Sequence, residues 1–391
     1  MITEPYVLVL NIMLHRHRGD YWADPLWKKD LEAHCVQIAD LAIACPVKDG
    51  APPESWEAIT RTGITVHPLP AMNRFSWLTI PYLAMKLWRI VSSATIVHTG
   101  IAGWPFPLGW IAIPLARLRR RFIVVVVESA FWRIPPGVSA PPFARWRARI
   151  SEIVNRWAIR SSDVSFFTTQ SYRDTLHPGS SSPAYVMPAI WVDSDQLIPR
   201  EAWADLGDAK GRSILFAGRL TDGKGVRLLL DAIVRSRIPV DIVGEGDLAD
   251  AVLDAQRQNP TLVRLLAPVD YGTAFSHMLD GYAALVVPTI SDEQPRIIFD
   301  AFARGVPVLA SATTGNRQIV DHGRNGLLFE PNDAQALADA LVAATRDPAR
   351  LRDMGLIALQ DMATQTHGAM HAVRGERIAA ALAARCPPRT G

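Results

Sequence analysis

The sequence predicts two successive α/β units, each a parallel sheet wound with helices on both faces. Short apolar runs rich in β-branched residues alternate with longer segments of helical period, the pattern of parallel strands joined by crossover helices. The alternation stops across a polar stretch from Pro178 to Asp208 and then restarts, and 391 residues are too many for one comfortable core. The expected domains are therefore 1–195 and 196–370, with 371–391 as a C-terminal helix and tail.

In the first half, strands are expected at Tyr6–Ile12, Leu41–Pro46, Thr65–Leu69, Thr95–His98, Phe122–Val127 and Val164–Thr168. Phe122 to Val127 reads Phe-Ile-Val-Val-Val-Val, with no polar alternation, as a strand buried on both faces does. Helices fit at Pro25–Ile38, Trp77–Ser92, Pro107–Arg119, Pro142–Arg160 and Ser171–Leu176. Thr99 to Ala116 carries no charge, but Gly100, Gly103, Pro105, Pro107, Gly109 and Pro114 break it too often for a spanning helix.

The second half restarts with strand Ile214–Ala217 and helix Val226–Arg235. Strand Asp241–Val243, helix Asp247–Arg257, strand Val263–Leu266 and helix Tyr271–Asp280 follow. Ala284–Val287 leads into an acidic loop, a short helix opened by Pro295 and stopped by Gly305, and the strand Val306–Ser311. A helical turn at Asn316–Asp321, a strand at Gly326–Phe329, and helices at Ala334–Thr345 and Ala349–Ala384 complete the pattern.

Composition narrows the function. Half the residues are apolar and a fifth charged, as in ordinary globular proteins, and the net charge is +3. Up to Asp195 there are 20 basic and 15 acidic residues, the excess concentrated between Arg117 and Arg160. No long basic stripe suits nucleic acid. Cys35, Cys45 and Cys386 have neither metal nor redox spacing. The first residues lack the basic and apolar regions of a signal peptide, so a cytoplasmic location, at the inner face of the cell membrane if anywhere near one, is expected. Trp77, Leu78, Ile80, Tyr82, Leu83, Leu87 and Trp88, with Lys86, Arg89 and the cluster Arg119-Arg120-Arg121, suit an anionic membrane surface. A buried helix face with solvated cations is the alternative.

Four loops carry the chemistry. Gly218-Arg219-Leu220-Thr221-Asp222-Gly223-Lys224-Gly225 leaves a strand and opens a helix, and its two cations can neutralise a diphosphate, Arg219 as a fork and Lys224 as a point charge. Gly244-Glu245-Gly246 is a second strand-end turn that lets a ligand approach the backbone. In the third, Pro295 leaves the N–H groups of Arg296 and Ile297 facing an anion, and Asp292 and Asp300 flank that seat as acceptors for sugar hydroxyls. In the fourth, Glu128 follows the most apolar strand, either salt-bridged to Arg133 or facing a ligand. His98 ends a strand, as a satisfied histidine or an active-site one. Asp193-Ser194-Asp195 reads as a turn rather than a metal motif.

Taken together and in order, the Gly-Arg-Leu…Lys-Gly loop, the Gly-x-Gly turn, the acidic pair eight residues apart with Pro-Arg between, and Asn325-Gly326-Leu327-Leu328-Phe329 resemble the donor half of GT-B glycosyltransferases of retaining family 4 (glycosyltransferase group 1). The likeness spans about Ser213 to Ala340. The family signature is E-x7-E, whereas both acids here are Asp, and Gln318 stands where a Glu is commoner. The first half is less typical. Asn11 to Asp24 has one glycine where relatives often have a Gly-Gly loop, and Glu128 stands where many have a histidine.

The resemblance implies the GT-B fold, two Rossmann-like doubly wound domains facing each other across a cleft, with the C-terminal helix crossing back to the first. It implies a retaining, metal-independent hexosyltransferase with a UDP- or GDP-sugar donor. The acceptor is a glycan or a polyprenyl-diphosphate-linked saccharide, in bacterial exopolysaccharide or surface polysaccharide assembly, and no metal or other cofactor is expected. Gly218, Arg219, Lys224, Gly244, Glu245, Pro295, Arg296 and Ile297 would hold the donor, Asp300 its ribose, and Asp292 or Glu293 its sugar. Glu128 and His98 would act on the reacting side. The alternatives are a nucleotide-sugar-binding partner subunit without activity, or another GT-B enzyme such as a sugar-nucleotide epimerase.

Overall fold

The computed structural model describes residues 1–60, 63–134, 140–206, 213–290 and 295–385. It divides into two compact units, Met1–Pro188 with Gly368–Gly391, and Ala189–His367. The expected junctions at 195 and 370 lie a few residues C-terminal of these divisions. Asp292 and Glu293 fall outside the described residues, as does Cys386.

The first unit begins with β1 (Tyr6–Val9), β2 (Leu14–His17), β3 (Asp20–Ala23), α1 (Pro25–Gln37), β4 (Leu41–Asp49), β5 (Glu57–Ala58) and β6 (Ile64–Pro70). It continues through α2 (Ile80–Ser93), β7 (Ile96–Gly100), α3 (Gly109–Leu118), β8 (Phe122–Val127), α4 (Pro142–Arg160), β9 (Val164–Phe167), α5 (Gln170–Leu176) and β10 (Ala184–Val186). Its parallel strands run β6-β4-β1-β7-β8-β9-β10. The order reverses between β1 and β7, where a doubly wound sheet opens its ligand crevice.

Alternate residues of each strand feed two separate cores. Val7, Val9, Val97, Ile123 and Val125 face one side with Leu83, Leu87, Ala112 and Ile159 of the helices. Tyr6, Leu8, Ile96, Phe122 and Val124 face the other with Leu31. That period of two under helices on both faces accounts for the unbroken apolar run at Phe122–Val127.

Residues 11–24, expected as a loop, instead form a hairpin. β2 and β3 pair antiparallel, His15 against Trp22, through Arg18 and Gly19 at φ 54° and 94°. Two left-handed residues make the tight turn whose twist matches its strands.

The second unit starts with α6 (Arg200–Asp205) and β11 (Ile214–Ala217), followed by α7 (Val226–Ser236), β12 (Val240–Val243), α8 (Ala249–Gln258), β13 (Val263–Leu266) and α9 (Thr273–Leu279). Then come β14 (Ala284–Val287), α10 (Ile297–Ala303), β15 (Val308–Ser311), β16 (Gly326–Phe329), α11 (Ala334–Arg346) and α12 (Pro348–Met362). The sheet order β13-β12-β11-β14-β15-β16 is the Rossmann order, reversing between β11 and β14. Ile214 and Phe216 face one core and Leu215 the other.

One expected helix is two. The segment from Ala349 to Ala384 breaks after Met362, where the His367 N–H donates to the Val192 carbonyl at 2.8 Å instead of continuing a helix. Helix α13 (His367–Arg385) then packs in the first unit, its Met370 and Ile378 in that unit's core and Arg385 paired with Asp163 at 2.8 Å.

The end of α10 fixes the neighbouring helix. Gly305 at φ 60° closes it, with Val306 N–H bonded to the Ala301 carbonyl and Gly305 N–H to that of Phe302. This is the Schellman arrangement. A Cβ on Gly355 of α12 would lie 2.3 Å from the Gly305 carbonyl oxygen and 3.2 Å from Pro307 Cδ. Gly355→Val therefore lowers the unfolding free energy by about 2–3 kcal/mol, because the clash is with backbone and outweighs the gain in helix propensity. A lowered urea midpoint with an unchanged slope is the check; an unchanged midpoint would refute the close packing.

Candidate functional site

In the second unit, three loops converge where the strand order reverses. The loop after β11 runs from Gly218 to Gly225, and those after β12 and β14 are fastened to it through backbone atoms. Leu220 N–H donates to the Glu245 carbonyl at 2.8 Å, and Leu248 N–H donates to that of Leu220 at 2.9 Å. Ile290 N–H and the Thr289 hydroxyl both donate to the Gly223 carbonyl, at 3.2 and 3.1 Å. The glycines permit this: a Cβ on Gly244 would lie 1.8 Å from the Gly218 oxygen, and one on Gly225 2.0 Å from the Pro288 oxygen.

That frame brings the expected donor residues to one edge. Arg219 is exposed and makes no ion pair among the described residues; Lys224 is half-buried at the foot of the same loop. Glu245 is exposed. Helix α10 starts two residues later than expected, at Ile297, with Arg296 as its cap and Pro295 before it. The physical reason is the bonding pattern: the first turn bonds run from Ile298 to Pro295 and from Phe299 to Arg296. The N–H groups of Arg296 and Ile297 thus still precede the first internal bond, as an anion seat requires.

Asp300 is buried, and the Tyr271 hydroxyl donates to its Oδ1 at 2.9 Å. Burial, reinforced by the Asp300 charge, pushes the Tyr271 hydroxyl well above its ordinary range, so it remains a donor. The Arg296 guanidinium stacks 4.8 Å over Trp191, which in turn stacks on His367. Neither Tyr271 nor Trp191 was singled out from the sequence, because an aromatic without a motif carries no positional signal. Asp193 forms a capping box with Gln196, so the Asp193-Ser194-Asp195 turn is held as a helix start.

The first unit carries its own cavity, of about 440 Å³, at the reversal between β1 and β7. Asn11, Trp27, Asp30, His34, His98, Glu128 and Arg374 line it with apolar strand ends. Of the two readings that the sequence allowed for Glu128, the salt bridge would engage Arg133. Arg133 binds Glu152, at 2.7 and 3.0 Å, and Glu128 is exposed one residue past β8 rather than buried. Three donors, Arg133, Trp132 and Arg156, outweigh the desolvation of Glu152 and hold its carboxyl below the usual range.

His98 lies inside β7, not at its end, because the strand continues to Gly100. It is buried, with Nδ1 2.7 Å from the Tyr6 hydroxyl, and burial holds its proton affinity well below the ordinary histidine value. Deeper on the same floor, His371 Nε2 lies 3.1 Å from Asp30 Oδ1. The spacing of Asp30 and His34 on α1 was visible in the sequence; the approach of His371 from a helix more than 300 residues away was not.

Residues 211–347 match the protein-family model described as glycosyl transferases group 1. The glycogen synthase of Thermus thermophilus is 31% identical over 166 residues, 41% of this chain and 37% of the relative, so the likeness spans little more than a third of that protein. Among solved structures, a sucrose-phosphate synthase from Thermosynechococcus elongatus superposes with a TM-score of 0.71 at 18% identity, over 97% of this chain and 100% of that one. An Anabaena protein solved in complex with UDP gives 0.69 at 16% identity, over 97% and 99%. These likenesses establish the two Rossmann-like parallel-sheet domains of the GT-B glycosyltransferase fold.

The lacing of the loops predicts a contrast between neighbours. Gly244→Ala places its Cβ against the Gly218 carbonyl and lowers the stability of the second unit by about 2–4 kcal/mol, whereas Glu245→Ala, at an exposed side chain, changes it by less than about 0.5 kcal/mol. Chemical denaturation of both variants, followed by Trp fluorescence, tests this; equal effects would refute it.

Proposed function

We propose, from the premise that the chain carries a glycosyl transferases group 1 domain over residues 211–347, that it transfers a hexose from a nucleotide diphosphate sugar to a glycan or lipid-linked saccharide, with retention and without a metal at the donor. The observation that carries this reading is the cationic edge at the strand reversal of the second unit. There Arg219 and Lys224 stand on the loop after β11 and the amide end at Arg296 and Ile297 on the segment after β14, with Asp300 in the first turn of α10 as an acceptor.

The chemistry follows from charge. As the bond from the anomeric carbon to the phosphate oxygen breaks, the departing nucleotide diphosphate gains one negative charge beyond the two it carries in the donor, and cations and backbone N–H groups held in place stabilise it without reorganising. Asp300, aligned by Tyr271, accepts from ribose hydroxyls. Asp292 or Glu293, outside the described residues, accepts from the sugar. In the first unit Glu128 serves the acceptor hydroxyl and His98, neutral and bonded to Tyr6, offers a hydrogen-bonding edge to the same cavity. Such a transfer belongs to polysaccharide assembly in the cytoplasm.

A peripheral contact with anionic membrane completes the reading. Among the described residues no helix is long and apolar enough to cross a membrane. Phe75, Trp77, Leu78, Tyr82 and Trp88 are exposed on and before α2, and Phe143, Trp146, Ile150, Ile153 and Trp157 form an exposed stripe on α4. Arg74, Lys86 and Arg119 lie over the Phe75, Tyr82 and Trp88 rings at 4.8, 5.2 and 4.7 Å. Arg145, Arg147, Arg149 and Arg156 flank the α4 stripe, so a second copy would oppose like charges while anionic lipid would complement them.

Calorimetric titration of UDP- and GDP-sugars with chelator present tests the donor site. Binding by the unaltered chain, weakened roughly 10- to 100-fold by Arg219→Ala and by Asp300→Ala, is the expected result. Absence of binding to every sugar nucleotide would overturn the reading, and binding without any transfer or hydrolysis would mark a binding subunit instead. For the membrane contact, co-sedimentation with anionic vesicles should exceed that with zwitterionic ones and fall as salt rises. Equal sedimentation with both would remove the membrane from the proposal.

A further inference from the structure

The cluster on the floor of the first unit's cavity lies outside the proposed transfer chemistry. Asp30 and His34 stand one helical turn apart on α1, and His371 meets them from α13. One ligand-capable atom from each lies within 4.8 Å of the other two. Asp30 Oδ1 is 3.1 Å from His371 Nε2, Asp30 Oδ2 is 3.4 Å from His34 Nδ1, and the two imidazole centroids are 4.5 Å apart. The side chains are 13%, 5% and 3% exposed, so this is a buried group and not a surface coincidence.

We propose that Asp30, His34 and His371 form a divalent transition-metal site of the zinc class, with three protein ligands and a fourth position open to the cavity. Bonds of about 2.0–2.1 Å in a tetrahedral site separate ligand atoms by roughly 3.3 Å; Asp30 Oδ1 stands 3.1 Å from His371 Nε2, while His34 Nδ1, 3.4 Å from the other Asp30 oxygen, is also 2.8 Å from the Asp30 backbone carbonyl and would exchange that hydrogen bond for the metal. Two imidazoles and one carboxylate suit zinc or its first-row neighbours; calcium and magnesium take oxygen ligands. Three protein ligands and an open place is the arrangement that leaves a metal able to bind an exchangeable group.

The surroundings fit an ion whose fourth ligand is an anionic oxygen. Asp30 and His34 line the cavity directly, and so does Arg374, three residues along α13 from His371. Arg374 Nε is buried and has no hydrogen-bond acceptor among the described residues. One carboxylate leaves the metal site with net positive charge, and the guanidinium beside it adds to the attraction for an oxyanion entering the cavity. The site belongs to the first unit, whereas Arg219 and Lys224 belong to the second. An ion held by α1 and α13 also fastens the C-terminal helix to the unit it joins.

The test uses the untagged full chain. After incubation with zinc and desalting, about one zinc per chain is expected by elemental mass spectrometry, and at least tenfold less for His34→Ala and Asp30→Ala. Cobalt substitution should give the intense visible bands of a tetrahedral ion, and His371→Cys should retain the metal and add a thiolate-to-cobalt charge-transfer band. That variant keeps the test decisive where alanine variants fail to fold. Wild-type chain that retains no zinc, or cobalt with only the weak spectrum of the hexaaqua ion, would overturn the proposal and leave a metal-free hydrogen-bonded latch. Metal retention unaltered in folded His34→Ala, with no charge-transfer band in His371→Cys, would place the ion elsewhere and overturn it equally.

Discussion

A side-chain carbon at residue 244 would lie 1.8 Å from the Gly218 carbonyl oxygen, and one at residue 225 would lie 2.0 Å from that of Pro288. Backbone can pass backbone at such distances only where Cβ is missing, and the candidate donor edge depends on it. Because these loops touch through main chain, their relative positions do not depend on flexible side chains. Arg219, Lys224 and Arg296 project from a frame fixed by hydrogen bonds such as Leu220 to Glu245 and Ile290 to Gly223. A site that stabilises developing charge gains from such fixity, since dipoles already aimed need not reorganise.

The two sheets place their candidate sites by the same rule. Each parallel order reverses once, between β1 and β7 in the first unit and between β11 and β14 in the second. At each reversal the loops on either side turn to opposite faces and leave a crevice. The contents differ in polarity. The first crevice carries two acids, Asp30 and Glu128, with His34, His98 and one cation, Arg374, among apolar walls, whereas the second presents Arg219 and Lys224. A diphosphate is better matched by the second, on charge alone.

Strands that are buried on both faces were legible in the sequence to the residue, as at Phe122–Val127 and Ala284–Val287, because no other structure suits an unbroken apolar run bounded by turn residues. Helix ends were less legible. Pro295 signalled a start, yet the helix begins only at Ile297, since the first turn bonds reach back to Pro295 and Arg296 rather than opening at the proline. The β2–β3 hairpin was missed because its signal is the turn pair Arg18-Gly19, and Arg at a left-handed position is uncommon. Of the candidate site, Gly218, Arg219 and Asp300 were singled out because each belongs to a short local motif. The partners Tyr271, Trp191 and His371 were not, since what gives each its role is a neighbour far away in sequence.

The break before α13 explains why His371 is where it is. Had the helical pattern from Ala349 run on without interruption, it would have continued the axis of α12 within the second unit. Instead the His367 N–H is taken by the Val192 carbonyl, and the His367 ring stacks on Trp191 with centroids 5.4 Å apart. Those contacts join the beginning and end of the second unit, and His367 itself opens a helix whose core contacts belong to the first. Once Met370 and Ile378 are buried there, residue 371 is carried onto the α1 face beside Asp30. A polar residue at that depth must meet a partner or remain at a cost of a few kcal/mol. The histidine meets a carboxylate, so the same stop that ends one unit sets the chemistry of the other.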